Sequence, residues 1–219
     1  MSFIKETNLS FNSLSNRSGT GQIVIHHAAT NGDVSSATMH GWHQNQGWSG
    51  LGYHFIIRGD GTVERGRPEM AVGAHASGFN SNAIGICLAG NFETSQPAPQ
   101  QIESLSRLLA DLCNRYNLTP NAQTIVGHRD LMATACPGRN LYAIMDTLRA
   151  DVKKAMEGKS TPPSASGKSA NEITVDNVFG DGIITDRAYW LGVLSGTITA
   201  NPEFIKIVLD RYHARLKSS

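Results

Sequence analysis

Two histidines, His26 and His27, close the β-branched run IVIHH (23–27), and a second pair of reactive types, His128 and Cys136, stands in GHRDLMATACPG (127–138). Imidazole nitrogen and thiolate sulfur are zinc ligands. Structural zinc sites close with four protein ligands, whereas catalytic ones keep three and leave a position to water. The same residue types also make a Cys–His hydrolase, in which a thiolate attacks and an imidazole takes its proton. Spacing does not choose between these, because His-x7-Cys is no standard zinc-finger signature. What favours rigid placement is that both histidine groups follow short β-branched runs, so they fall at strand ends.

Those strand ends need elements behind them. IVIHH reads as a buried strand. SSATMHGWHQNQG (35–47) reads as a helix capped by Ser35 or Ser36, with Met39 and Trp42 on its core side. YHFII and TVERG form a hairpin through Gly59-Asp60-Gly61, and AIGICLAG (83–90) is a further buried strand. From 98 to 116, Ile102, Leu105, Leu108, Leu109, Leu112 and Tyr116 recur at helical steps, which predicts an amphipathic helix. TIVGH (124–128) is a short strand leading into the second motif, and NLYAIMDTLRADVKKAM (140–156) a second amphipathic helix. Strands alternate with helices, so the class is α/β.

The chain has 219 residues and is 40% hydrophobic, enough for one good-sized domain and a small appendage. Residues 1–20, rich in Ser and Asn, read as a partly ordered leader. The catalytic-type motifs fall within 1–157. GKSTPPSASGKSANE, within 158–172, has a linker's composition. Residues 173–219 then read as a small helical C-terminal module of about 45 residues, a marginal core on its own. Its Tyr189, Trp190, Tyr212, Lys206, Arg211 and Arg215 serve either a binding surface or simply that core and a solvated face.

A net charge of +1 provides no field for nucleic acid or an anionic membrane. Three cysteines, an odd and small number, argue against a disulfide framework. No run of about 18 apolar residues exists, so no membrane insertion is expected. The polar start MSFIKETNLSFNSLSNRSG lacks the apolar segment of a secretory signal.

Taken together, VIHHAAT (24–30), the stretch from WHQNQGWSGLGYHFII through DGTVERGRPEMAVGAHASGFNSNAIGICLAGN (42–91), and GHRDLMATACPG resemble the zinc amidases of the phage-lysozyme and peptidoglycan-recognition-protein family. The likeness runs over residues 20–150. It implies a central mixed β-sheet flanked by helices and one catalytic Zn2+ held by His26, His128 and Cys136. It implies a zinc-activated water that cleaves the amide between N-acetylmuramic acid and the L-alanine of the stem peptide. Bacterial peptidoglycan is then the partner. The expected setting is an endolysin in the host cytoplasm, with holin-type release to the wall.

The resemblance also implies that Tyr53 and Thr134 flank the zinc-bound water. Thr134 stands where T7-type phage enzymes carry Lys and catalytic animal recognition proteins carry Thr. A hydroxyl donates a hydrogen bond but brings no positive charge to a developing oxyanion. Some relatives carry Glu where Tyr53 stands, and no general base emerges. His75, Asn80 and Asn82 fall in a segment that lines the substrate groove in relatives, and Trp48, between glycines, is expected as an exposed wall of it. His27 should turn to the other face of its strand. Cys87 and Cys113 read as small buried hydrophobes, and Arg129-Asp130 as a local ion pair. Three readings compete: a non-catalytic recognition module, which typically lacks the cysteine ligand; a cytoplasmic wall-recycling amidase; and the Cys–His hydrolase.

Overall fold

The computed structural model describes residues 3–160. The chain divides after Met156, and the unit treated below is Ser2–Met156. The expected C-terminal module, and all of the linker beyond Ser160, lie outside the described residues.

Six strands form one sheet: β1 (Ile4–Lys5), β2 (Gln22–His27), β3 (Phe55–Ile57), β4 (Val63–Arg65), β5 (Ala83–Leu88) and β6 (Ile125–Gly127), in the spatial order β1-β4-β3-β5-β2-β6. β3, β5, β2 and β6 are mutually parallel, and among the strand pairings of the described residues only the β3–β4 hairpin is antiparallel. That hairpin turns where Gly61 takes φ +86° and the Asp60 carboxylate accepts the Thr62 amide at 2.8 Å. β2 thus lies inside the sheet with a parallel neighbour on each side. Parallel strands are covered on both faces, which is why β2 and β5 read as near-continuous apolar runs.

One face packs on α2 (Pro99–Tyr116) and on α4 (Met145–Ser160). There Ile23, Ile25, Ile84, Ile86 and Leu88 meet Leu105, Leu108, Leu109, Leu112, Leu148 and Val152. Each such fully buried aliphatic side chain contributes about 1.5–3 kcal/mol. α2 opens with Pro99 at its first position, where no amide partner is lost, and ends at Asn117 in the left-handed region with φ 53°. The opposite face carries α1 (Ser36–Asn45), whose Met39 packs with Val34, Leu51, Ile56 and Cys87. Ser35 caps α1, its hydroxyl accepting the Thr38 amide at 3.1 Å.

Three local expectations change. The leader is tied down: β1 pairs with β4, and Arg17 is buried, donating to the Glu69 carbonyl at 2.7 Å. The helix expected over 140–156 is two, α3 (Arg139–Ala143) and α4, parted at Ile144. Leu141, Met145, Leu148 and Val152 bury into one core across that break, so their spacing hides it. Trp42 is 44% exposed, because α1 turns Ser36, Met39 and His40 inward instead.

Candidate metal centre

The carboxyl ends of adjacent parallel strands are where an α/β sheet gathers loops and side chains. β2 delivers His26 there, next to last in the strand and buried. β6 ends at Gly127, and a short 3-10 turn begins at His128. Cys136 returns on the following loop. One ligand atom from each of His26, His128 and Cys136 lies within 4.8 Å of the others. Cys136 Sγ is 3.6 Å from His26 Nδ1. Tetrahedral coordination with bonds of about 2.3 Å to sulfur and about 2.0 Å to nitrogen puts those two atoms about 3.5 Å apart. Donor types and spacing therefore fit a zinc ion.

The loop carrying the second and third residues is closed on itself. The Arg129 amide donates to the Cys136 carbonyl at 2.9 Å, and Arg129 Nη2 donates to the Ala135 carbonyl at 2.7 Å. Asp130 does not pair with Arg129. It accepts the Gly127 amide at 2.8 Å and the Tyr142 hydroxyl, while the Arg129 guanidinium lies over the Tyr142 ring. The backbone amide of His27 donates to Cys136 Sγ at 3.4 Å. Thr134 Oγ1 accepts the Cys136 amide at 3.2 Å, which leaves its own hydroxyl hydrogen free to donate elsewhere.

Backbone amides sort the other histidines. His27 turns to the α2 face and accepts the Phe92 amide on Nδ1 at 3.1 Å. His40 likewise accepts the Leu51 amide, His43 the Gly52 amide and His54 the Gly85 amide. Their Nδ1 lone pairs are occupied. Among the described residues, the histidines with no such amide are His26, His75 and His128, and their rings adjoin: His26 is 4.4 Å from His128 and 5.1 Å from His75 between centroids.

Burial holds the His26 imidazole well below its ordinary pKa, helped by His75, His128 and His27. Burial likewise lowers His128. Both are neutral near pH 7, the form that binds a metal. Burial lifts the Cys136 thiol to about 11, against the His27 amide and Arg129. A catalytic cysteine needs the opposite, a depressed pKa, so the thiolate-nucleophile reading loses its chemistry. A cation beside the sulfur is what would ionise it. Tyr53 sits with its ring 5.0 Å from His26. Burial, then the Cys87 and Cys136 thiols, push its phenol well above 10.0, so it stays a proton donor.

The remaining expected site residues separate. His75 is 8% exposed and lies behind His26, with His26 Nε2 3.2 Å from His75 Nδ1. Asn80 does not reach outward: its Oδ1 accepts the His75 and Ala76 amides, each at 2.9 Å. Asn82 is at the other end of the sheet, against Gly21 before the start of β2. Trp48 is 41% exposed and stacks near His43, which in turn approaches Tyr53. That row of rings runs from the surface to the His26 cluster. Cys87 and Cys113 are fully buried. Sequence reasoning missed the contact between His26 and His75. Its trace is the pair Gly73 and Gly85, on which an added Cβ would come within 2.5 Å of the His75 ring.

Residues 17–139 match the family model described as N-acetylmuramoyl-L-alanine amidase. The endolysin of Enterobacteria phage K11 is 41% identical over 138 residues, 60% of this chain and 89% of that protein. Among solved structures, N-acetylmuramoyl-L-alanine amidase LysC from Clostridium intestinale is 42% identical, with a TM-score of 0.61 over 66% of this chain and 96% of that one. A complex of tracheal cytotoxin with the ectodomains of peptidoglycan recognition proteins LCa and LCx is 32% identical, with a TM-score of 0.59 over 65% and 94%. His26, His128, Cys136, Tyr53 and Thr134 all fall inside the matched stretch, and the chain belongs to the N-acetylmuramoyl-L-alanine amidase family.

Proposed function

We propose that this chain is a zinc-dependent peptidoglycan hydrolase that cleaves the amide between N-acetylmuramic acid and L-alanine, acting as an endolysin. The observation that carries the reading is the meeting of two neutral imidazoles and one thiol at the carboxyl ends of β2 and β6, inside the family match. His26, His128 and Cys136 would hold the ion, and a zinc bound there supplies Lewis acidity and a water whose pKa falls toward about 7.

The chain's own residues do the rest. Tyr53, kept protonated by burial, donates its hydroxyl hydrogen to the scissile carbonyl oxygen as negative charge grows on it. Thr134, whose oxygen accepts from Cys136, turns its hydrogen to the same side. Trp48 forms the outer wall of the substrate groove. Asn80 acts on that groove through the His75 loop that it holds. Asn82, at the far end of β2, takes no part in the reaction.

Linker 158–172 then joins the catalytic unit to a module at 173–219 that holds the enzyme on the wall. Deleting 160–219 and measuring pull-down on purified walls tests this, and unchanged binding removes it. No helix among the described residues is long and apolar enough to cross a membrane. The enzyme reaches the wall from the host cytoplasm by holin-type release. The reaction is tested on purified peptidoglycan: new N-terminal L-alanine without new reducing sugar is the expected result, and reducing sugar alone would refute it.

A further inference from the structure

His75 has one ring nitrogen, Nε2, buried with no hydrogen-bond partner among the described residues, although the Ala83 carbonyl is near. Its other nitrogen, Nδ1, faces His26 Nε2 at 3.2 Å. The ring is pinned in that pose. It lies against Gly73 and Gly85, and Asn80 Oδ1 accepts the backbone amides of His75 and Ala76, on either side of the His75 Cα. His54, the next ring behind it, has both nitrogens occupied, Nδ1 by the Gly85 amide and Nε2 by the Ala71 carbonyl. Nothing relays onward, so His26 and His75 form a closed pair.

A neutral imidazole carries one proton, and the two rings share one hydrogen bond. With the proton of His26 on Nε2, that nitrogen donates to His75 Nδ1, and His26 Nδ1 presents a lone pair toward Cys136. The proton of His75 must then sit on Nε2, on the side of the Ala83 carbonyl. In the reverse arrangement His75 donates to His26 Nε2, the proton of His26 moves to Nδ1, and an N–H points at the sulfur where a lone pair is needed. The Ala83 carbonyl lies on the side of the His75 Nε2 proton, and the demand on His26 for a free Nδ1 fixes the choice. A ligand histidine is commonly held in its tautomer by a partner on the far nitrogen.

We infer that His75 is a positioning residue, the hydrogen-bond acceptor that holds His26 with its proton on Nε2 and its Nδ1 free for the metal. This rests on the reading that His26, His128 and Cys136 bind zinc. It assigns His75 to the metal's ligand sphere at one remove, rather than to the substrate groove.

Two measurements test it. In the zinc-loaded full chain with 15N-labelled histidine, the NMR shifts should report His75 protonated on Nε2 and bare on Nδ1; a proton on His75 Nδ1 overturns the inference. Zinc affinity is then read by competition with a chromophoric chelator. His75→Leu fills the space without an acceptor and should bind about 10–100-fold more weakly than wild type. His75→Asn places an amide oxygen close to the old Nδ1 position and should recover most of that loss. Wild-type affinity in His75→Leu, or equal loss in both variants, overturns the inference while leaving the zinc reading intact. A wild-type chain that takes up no zinc overturns both. Should His75→Leu fail to fold, the NMR measurement decides alone.

Discussion

Cys136 Sγ and His26 Nδ1 stand 3.6 Å apart although 110 residues separate them along the chain. One strand pairing and one loop hydrogen bond close that distance. β2 aligns Ile25 with Gly127 of β6, so the residue after each, His26 and His128, arrives at the same end of the sheet. The Arg129-to-Cys136 backbone bond then folds the thiol back onto the pair.

Replacing Cys136 by Ala should abolish zinc retention and lytic activity together, since two imidazoles hold the ion far less well than a full set of three ligands. Metal content after dialysis and turbidity loss of a wall suspension are the two readings. Full activity in the variant would sink the metal assignment.

Stripping the metal should also loosen the fold. An ion that binds only the native state stabilises it by about 4 kcal/mol when present at about a thousand times its Kd. At about 2–4 °C per kcal/mol for a domain of this size, calorimetry should show a clear drop in Tm on adding a chelator and its return with zinc. An unchanged Tm across that cycle would contradict a preformed site.

Thr134→Val removes the hydroxyl while keeping shape. It deletes the acceptor for the Cys136 amide and the donor proposed to face the reacting carbonyl. If that donor stabilises the transition state, kcat should fall by about 10²-fold with zinc content unchanged. Thr134→Ser, which keeps the hydroxyl, should stay near wild type. A parallel loss of zinc in Thr134→Val would assign the residue to the ligand loop instead.

Glu64 links pH to stability away from the site. Burial raises its pKa, but the Ser36 amide and hydroxyl, Arg58 and Lys5 together outweigh that and leave it below 4.5. A depressed carboxylate stabilises the fold above its unfolded pKa, and that stability is lost as pH falls through the folded value. Glu64→Gln should therefore cost about 1–3 kcal/mol at neutral pH. The Tm gap between variant and wild type should shrink as the solution is taken below 4.5. A gap that stays constant down to acid would show that the charge contributes nothing.

The strongly patterned elements were legible in advance. α2 follows its leucines to within a residue, and β2 and β5 are the apolar runs they look like. β1 was not legible, because two residues have no period and owe their strand to β4. The break at Ile144 was hidden by a core that both α3 and α4 serve. For the site, the family resemblance carried by the ordered motifs picked out His26, His128 and Cys136, which the fold brings together. The orientation of Asn80 could not be read, since a carboxamide bonds a backbone amide as readily as a ligand. Trp42 went astray for a related reason: Met39 and Trp42 share a helical step, yet which side of α1 meets the sheet is decided by residues outside it.

The place of β2 inside the sheet, between β5 and β6, has a consequence for the order of events during synthesis. His26 leaves the ribosome early, but the strand on one side of it begins at Ala83 and the other at Ile125, and the last member of the cluster is Cys136. No nascent or truncated chain ending before that cysteine can assemble the three-ligand cluster. The chain is built so that this cluster cannot exist until nearly all of the unit Ser2–Met156 has been translated.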